Sequence, residues 1–142
     1  MTAQENIVPD ASVLLKWVFK APEEKHTEQA LVLLDYWVGG RINLVVPALW
    51  RFEVGNILGL KSANLAADTM ALLLEYRIEE QALTAEICRQ TFSIMKACKV
   101  TFYDAAYHAV ALARSATFLT ADEVYVHKTG QIGHVMILKD WR

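Results

Sequence analysis

The sequence predicts an α/β fold in which a central parallel β-sheet is flanked by helices on both faces. Short apolar runs of strand length alternate with longer segments of helical periodicity, the pattern of parallel strands joined by crossover helices. The 142 residues carry no internal repeat, linker or low-complexity tract, and that length is enough for one domain to bury roughly two-thirds of its unfolded surface.

The elements follow in order. Asn6-Ile-Val-Pro-Asp10 is a short apolar run ending in a turn signal, and Ala11 to Trp17 has the apolar spacing of a helix. Pro22-Glu-Glu predicts the first turn of a second helix, which runs through Ala30, Leu31, Leu33, Leu34 and Trp37 and stops at Gly39-Gly40. Asn43 to Pro47 reads as a strand, and Pro47 starts a third helix, Ala48 to about Lys61. In that helix Leu49, Glu53, Asn56 and Leu60 share one face by their spacing, which sets a carboxylate in an apolar stripe. Two further helices are predicted between Leu65 and Ala97, the second starting near Thr84. Val100 to Asp104 is an extended lead into a helix, Ala105 to Ala113, that places Asp104, Tyr107, His108 and Ala111 along one side. Thr117 to Thr120 is a strand, Ala121-Asp122-Glu123 opens a helix toward His127, and Val135 to Leu138 forms the last strand.

Composition narrows the function classes. Apolar residues make up 54% of the chain, a surplus over the roughly 45–50% of an average soluble protein that points to a buried interface. No apolar run approaches the length of a membrane span, and Met1-Thr-Ala-Gln-Glu5 lacks the basic start of a signal peptide, so the chain reads as cytoplasmic with no membrane partner. Cys88 and Cys98 have neither CxxC spacing nor zinc-type His partners, which leaves them as small buried side chains. Fourteen basic against sixteen acidic residues, net −2, do not advertise a nucleic-acid binder. If four of the acids hold cations, however, phosphate is drawn locally by the metal and not by a basic patch.

Three acids, Asp10, Asp104 and Asp122, each follow an apolar or extended run at the opening of a helix. In parallel α/β sheets that position borders the crevice beyond the carboxyl ends of the strands, where ligands bind. Glu53 can reach the same crevice from the second turn of its helix. Four carboxylates so close cannot all stay ionised without cations, and an all-oxygen donor set suits Mg²⁺ or Mn²⁺, which also take phosphate oxygens as ligands. Each acid has a structural reading too. Thr101-x-x-Asp104 and Thr120-x-x-Glu123 match capping boxes, and Asp10 can cap its own helix. Glu53 is least at ease as structure, because a lone Glu in an apolar stripe must be paired, protonated or bound to metal.

Val8-Pro-Asp10-Ala-Ser12, Pro47-x-x-x-x-x-Glu53-Val-x-Asn56-Ile-Leu58, Tyr103-Asp104-Ala-Ala-Tyr107-x-Ala-Val-Ala111 and Phe118-Leu-Thr120-Ala-Asp122-Glu123 resemble, in order and spacing, the four acidic motifs of PIN-domain nucleases. The similarity is greatest to prokaryotic VapC-type toxins of type II toxin-antitoxin systems and runs from about Ile7 to Leu138. The resemblance implies a single PIN domain over residues 1–142 with a PIN-like three-layer fold. It implies a catalytic and metal-binding set of Asp10, Glu53, Asp104 and Asp122 holding Mg²⁺ or Mn²⁺. Thr120, a hydroxyl two residues before Asp122 that can orient a ligand or equally cap a helix, and Ser12 are candidate supporting residues. The resemblance further implies RNA as substrate, a cognate antitoxin as partner, and a homodimer built through apolar helices such as the stretch around Met70 to Leu74. Many relatives carry a further acid a few residues after the fourth position, where this chain has Glu123 followed by Val124-Tyr-Val-His127.

Other features have plainer readings. Gly55-x-x-x-Gly59 is read as close packing that offsets the helix cost of glycine. His108 is read as structural, and Lys16, Arg51 and Lys128 as basic residues near the motifs that could meet phosphate. The four tryptophans are assigned to core or interface. A receiver domain would need an acidic pair after its first strand, and a haloacid-type phosphatase Asp-x-Asp, where this chain has Asp10-Ala-Ser12. Gly130-Gln-Ile-Gly133 matches neither phosphate-binding glycine motif. Two readings remain: a metal-dependent endoribonuclease hydrolysing RNA phosphodiester bonds, and a catalytically weak PIN-like domain that binds RNA or a partner protein without turnover.

Overall fold

A computed structural model describes residues 4–19 and 24–142. Five strands, β1 (Glu5–Pro9), β2 (Ile42–Pro47), β3 (Glu79–Gln81), β4 (Thr117–Thr120) and β5 (Val135–Ile137), form one parallel sheet in the order β3-β2-β1-β4-β5. Between them lie α1 (Ala11–Leu15), α2 (Thr27–Val38), α3 (Trp50–Lys61), α4 (Ala66–Glu75), α5 (Ala85–Cys98), α6 (Phe102–Ala113) and α7 (Glu123–Thr129). The chain winds outward from β1 through β2 to β3, then crosses back to β4 and on to β5. With right-handed crossovers, those opposite directions put α2 to α4 on one face and α5 to α7 on the other. The packing agrees: α1 meets α3 and α3 meets α4, while α5 packs on α6 and α7, and α6 lies across β1, β2 and β4.

Burial on both faces explains the continuous apolar reading of the inner strands: Val45 and Val46, neighbours on β2, are both buried, as are Ile7 and Val8 on β1. These strands join Leu14, Leu33, Val54, Leu73, Val110 and Leu138 in a continuous hydrophobic core.

Several expectations need correction. The second helix starts at Thr27, with His26 in a left-handed conformation before it; Pro22 and Glu23 lie outside the described residues. Glu79–Gln81 is a strand that its polar side chains hide from the periodicity of the sequence. It pairs only with β2 and is held from outside, Arg51 and Trp50 Nε1 donating to Glu80 and Arg114 donating to Glu79 and Gln81. Val100 to Tyr103 is not extended throughout: α6 begins at Phe102, capped by Thr101, whose hydroxyl accepts from the Asp104 amide at 3.2 Å. The α3 stripe is rotated from its expected position. Trp50, Val54 and Leu58 are buried, whereas Asn56 is exposed and Leu60 is 77% exposed, so Glu53 borders the apolar face instead of lying inside it. A Cβ at Gly55 or Gly59 would meet nothing within 4 Å, so these glycines are not packed closely within the chain.

Candidate active site

The strand order reverses between β1 and β4, and at such a switch point the flanking loops part to leave a crevice beyond the carboxyl ends of the strands. Asp10 follows β1, and Asp122 lies two residues beyond β4. Glu53, from the first turn of α3, and Asp104, from the first turn of α6, enter the same crevice from opposite faces of the sheet. All four line one cavity of about 340 Å³, together with Ser12, Phe19, Glu24, Lys61 and Tyr107. A second groove of about 370 Å³ shares Asp104 and Asp122 as walls and continues past Thr101, Tyr125, Lys99 and Lys128.

Asp10 is the most constrained of the four. It caps α1, its Oδ1 accepting from the Val13 amide at 3.1 Å and from the Ser12 hydroxyl, while Oδ2 accepts from Thr120 Oγ1 at 2.6 Å. Three donors on a carboxylate with about four acceptor positions leave roughly one open, on Oδ2. Ser12 and Thr120 extend the clamp to the β4–α7 junction: Ser12 Oγ accepts from the Ala121 amide at 3.3 Å, and Thr120 Oγ1 from the Asp122 amide at 3.1 Å. Capping and site membership are thus joined in one residue. The Thr120–Glu123 capping box does not form; Asp122 caps α7 by accepting from the Tyr125 amide at 3.1 Å.

The electrostatics show crowding. Burial raises the Asp10 carboxyl to about 6, against which the Ser12, Thr120 and Val13 hydrogen bonds act, while the charge of Asp104 adds to the rise. Burial also raises Glu53, helped by Asp104 and Asp10 and opposed by the nearby Tyr107 hydroxyl. Asp104 is raised by burial and then by Asp122, with Thr101 opposing. The Tyr107 phenol is driven well above its ordinary range by burial and then by Glu53, so it stays protonated. Tyr107 and Glu53 are close enough to act on each other, yet the Tyr107 hydroxyl and Glu53 Oε1 are both buried without a well-formed hydrogen bond among the described residues.

Among the described residues no three His, Cys, Asp or Glu side chains are already drawn together as a metal-binding group. The donor set still fits a hard divalent cation that keeps part of its water shell. It is all oxygen, it contains an orphaned buried carboxylate oxygen on Glu53, and it couples four acids whose mutual repulsion a cation relieves.

The other singled-out residues separate clearly. His108 is fully buried: its Nε2 donates to the Gly133 carbonyl, so the neutral ring accepts the Tyr125 hydroxyl at Nδ1, both at 2.8 Å. It does not line the first cavity, and its two hydrogen bonds give it a structural part, as its solitary position predicts. Lys16 is buried and bonded to Glu24 at 2.9 Å, and Arg51 pairs with Glu80, so neither faces the cavity; Lys128 lines the adjoining groove. Trp50 and Trp141 are buried, and Trp17 stacks on Trp37 with Tyr76 edge-on to both. Sequence reasoning missed Lys61, Glu24 and Tyr107 as lining residues. Only Tyr107 left a signal, a large phenol three residues after Asp104 in an alanine-rich helix.

The PIN-domain family model matches residues 7–130, most of the chain. The chain belongs to the PIN-domain family. Solved structures share the fold of this PIN domain. They include a toxin-antitoxin complex from Klebsiella pneumoniae, at 15% identity and TM-score 0.68, covering 93% of this chain and 97% of that one. The Mycobacterium tuberculosis VapC20, a sarcin-ricin loop cleaving toxin, is 15% identical with TM-score 0.65, covering 85% and 94%. VapBC2 from Rickettsia felis bound to a promoter DNA fragment is 10% identical with TM-score 0.65, covering 93% and 96%. No curated protein sequence matches significantly.

Proposed function

We propose that this PIN domain, acting as one unit over residues 1–142, is a Mg²⁺- or Mn²⁺-dependent endoribonuclease and the toxin of a cytoplasmic toxin-antitoxin pair. The observation that carries the reading is the convergence of Asp10, Glu53, Asp104 and Asp122 on one cavity at the sheet's switch point in a PIN domain. In this reading Asp10, Glu53, Asp104 and Asp122 hold the cation, with Ser12 and Thr120 fixing the orientation of Asp10. A divalent cation bound there supplies an activated water and a Lewis acid for phosphodiester hydrolysis. Lys61 at one side, and Lys99 with Lys128 along the adjoining groove, offer positive charge to a strand crossing the site.

The antitoxin partner is supported by the fold neighbours, one of them a toxin-antitoxin complex. A homodimer is supported by the apolar surface of α3 and α4: Phe52 is 80% exposed and Leu60, Leu65 and Leu72 are exposed, although Leu73 is buried. A protein that binds RNA or a partner without turnover is the second reading, and it draws on the open arrangement of the carboxylates.

One gel separates these. Labelled RNA and matched single-stranded DNA are incubated with Mg²⁺, Mn²⁺ or EDTA, beside an Asp10→Asn variant. RNA cleavage lost in both EDTA and the variant supports the proposal; DNA cleavage redirects the substrate class; RNA retention without cleavage by folded protein supports the second reading.

A further inference from the structure

Two residues that line the cavity, Tyr107 and Glu53, each carry a buried polar atom with no partner among the described residues, the Tyr107 hydroxyl and Glu53 Oε1. Buried polar groups in folded proteins are almost always paired, so an orphaned pair on the wall of a site is a group kept for something the site does. The Tyr107 ring has little freedom. The residue is 1% exposed and stacks on Phe118 with centroids 5.8 Å apart and planes 15° from parallel, which fixes where the hydroxyl points. Glu53, by contrast, borders the apolar face of α3 and is only half-buried, and its Oε1 has no hydrogen bond to hold it. Asp10 has Ser12, Thr120 and the Val13 amide to orient it; among the described residues, the neutral donor that acts on Glu53 is Tyr107.

We propose that Tyr107 is a positioning residue for the metal site: its hydroxyl, unpartnered here, donates to one oxygen of Glu53 when a divalent cation is held, so that the other oxygen is presented to the cation. The proposal rests on the metal-dependent reading above. A phenol is a neutral donor at the pH of the cell, so it can orient the carboxylate without neutralising the charge the cation needs. It plays for Glu53 the part that Ser12 and Thr120 play for Asp10, and outer-shell partners of this kind typically change metal affinity by about 10–100-fold when removed.

The test uses Tyr107→Phe, which deletes one oxygen and keeps the ring stacked on Phe118. Mn²⁺ binding is titrated calorimetrically without RNA for the wild type, Tyr107→Phe, Glu53→Gln and the double variant, and each is melted without metal. The expected result is Mn²⁺ binding weakened about 10-fold in Tyr107→Phe, with an unchanged or higher melting temperature. In the Glu53→Gln background, loss of the hydroxyl should have no further effect on binding. In RNA cleavage the half-saturating metal concentration should rise by the same factor, while kcat at saturating metal stays near wild type. Unchanged Mn²⁺ affinity in Tyr107→Phe, or an equal loss on top of Glu53→Gln, overturns the proposal and leaves the nuclease reading intact. A wild type that binds no Mn²⁺ overturns both.

Discussion

Tyr107 and His108 are adjacent on α6 and both buried, yet they belong to opposite kinds of polar cluster. His108 is fully satisfied, locked between the Tyr125 hydroxyl and the Gly133 carbonyl, and so ties α6 to α7 and to the loop before β5. Tyr107 faces acids with raised pKa and has no partner. One residue of helical rotation separates a cluster that commits its hydrogen bonds to the fold from one whose buried polar atoms have no partner among the described residues. A closed network stabilises; an open, like-charged one costs stability until a cation arrives.

The largest expected contrast is between activity and stability. Asp10→Asn keeps the cap, since Asn caps as well as Asp, but should lower RNA cleavage on the order of 10³-fold or more, the scale for removing one member of a catalytic set. Its metal-free melting temperature at pH 8 should not fall, because a buried charge is gone. A variant melting well below wild type would mean that Asp10 serves the fold more than the site.

His108→Ala should do the opposite. It strands the Tyr125 hydroxyl and the Gly133 carbonyl and opens a cavity, costing about 2–4 kcal/mol in urea unfolding, while folded protein keeps its Mn²⁺ affinity. Loss of affinity at full stability would place His108 in the site.

pH sharpens the comparison further. The Asp10 carboxyl titrates near 6 in the folded protein against 3.8 ordinarily, so the folded state holds the extra proton. Its favourable contribution is complete below about pH 4 and lost as pH rises through 6, an amount of up to about 3 kcal/mol at 1.36 kcal/mol per unit. Glu53 and Asp104 act in the same direction. His108 is lowered by burial, so its contribution is present above about 6.5 and lost as pH falls. Metal-free wild type should therefore gain stability from the acids between pH 7 and 5, and Asp10→Asn should gain less, keeping the Glu53 and Asp104 contributions against the His108 loss. Added Mn²⁺ should stabilise the wild type more at pH 8 than at pH 5.

The smallest effect concerns the adjoining groove. Lys99→Ala with Lys128→Ala should raise KM for RNA a few-fold with kcat unchanged and make the salt slope of binding shallower by about one for each phosphate these lysines neutralise. An unchanged slope would remove the groove from the path of the strand.

The alternation of apolar runs and helical periods, and the placing of acids relative to helix starts, made the α/β plan and four of the five carboxylates that line the cavity legible in the sequence; Glu24 was not among them. Local chemistry carried these, since strand and helix periods and caps are short-range. It also placed the Thr101 cap and the start of a helix near Thr84. Short-range rules failed where a neighbour far along the chain decided. Polar Glu79–Gln81 became a strand because β2 offered an edge and Arg51 and Arg114 offered charge. Lys16 was taken inward by Glu24. On α3, apolar residues on more than one side left the buried stripe to be chosen by packing, which turned Leu60 outward and left Glu53 on the border. Sequence alone thus determined which acids were available and that Asp10, Asp104 and Asp122 stood where helices begin. Only the tertiary structure decided that β1 and β4 would lie side by side with their acids on one crevice, and that Tyr107 would meet Glu53 there. Strand order and helix rotation are settled by contacts between residues tens of positions apart, which no local pattern encodes.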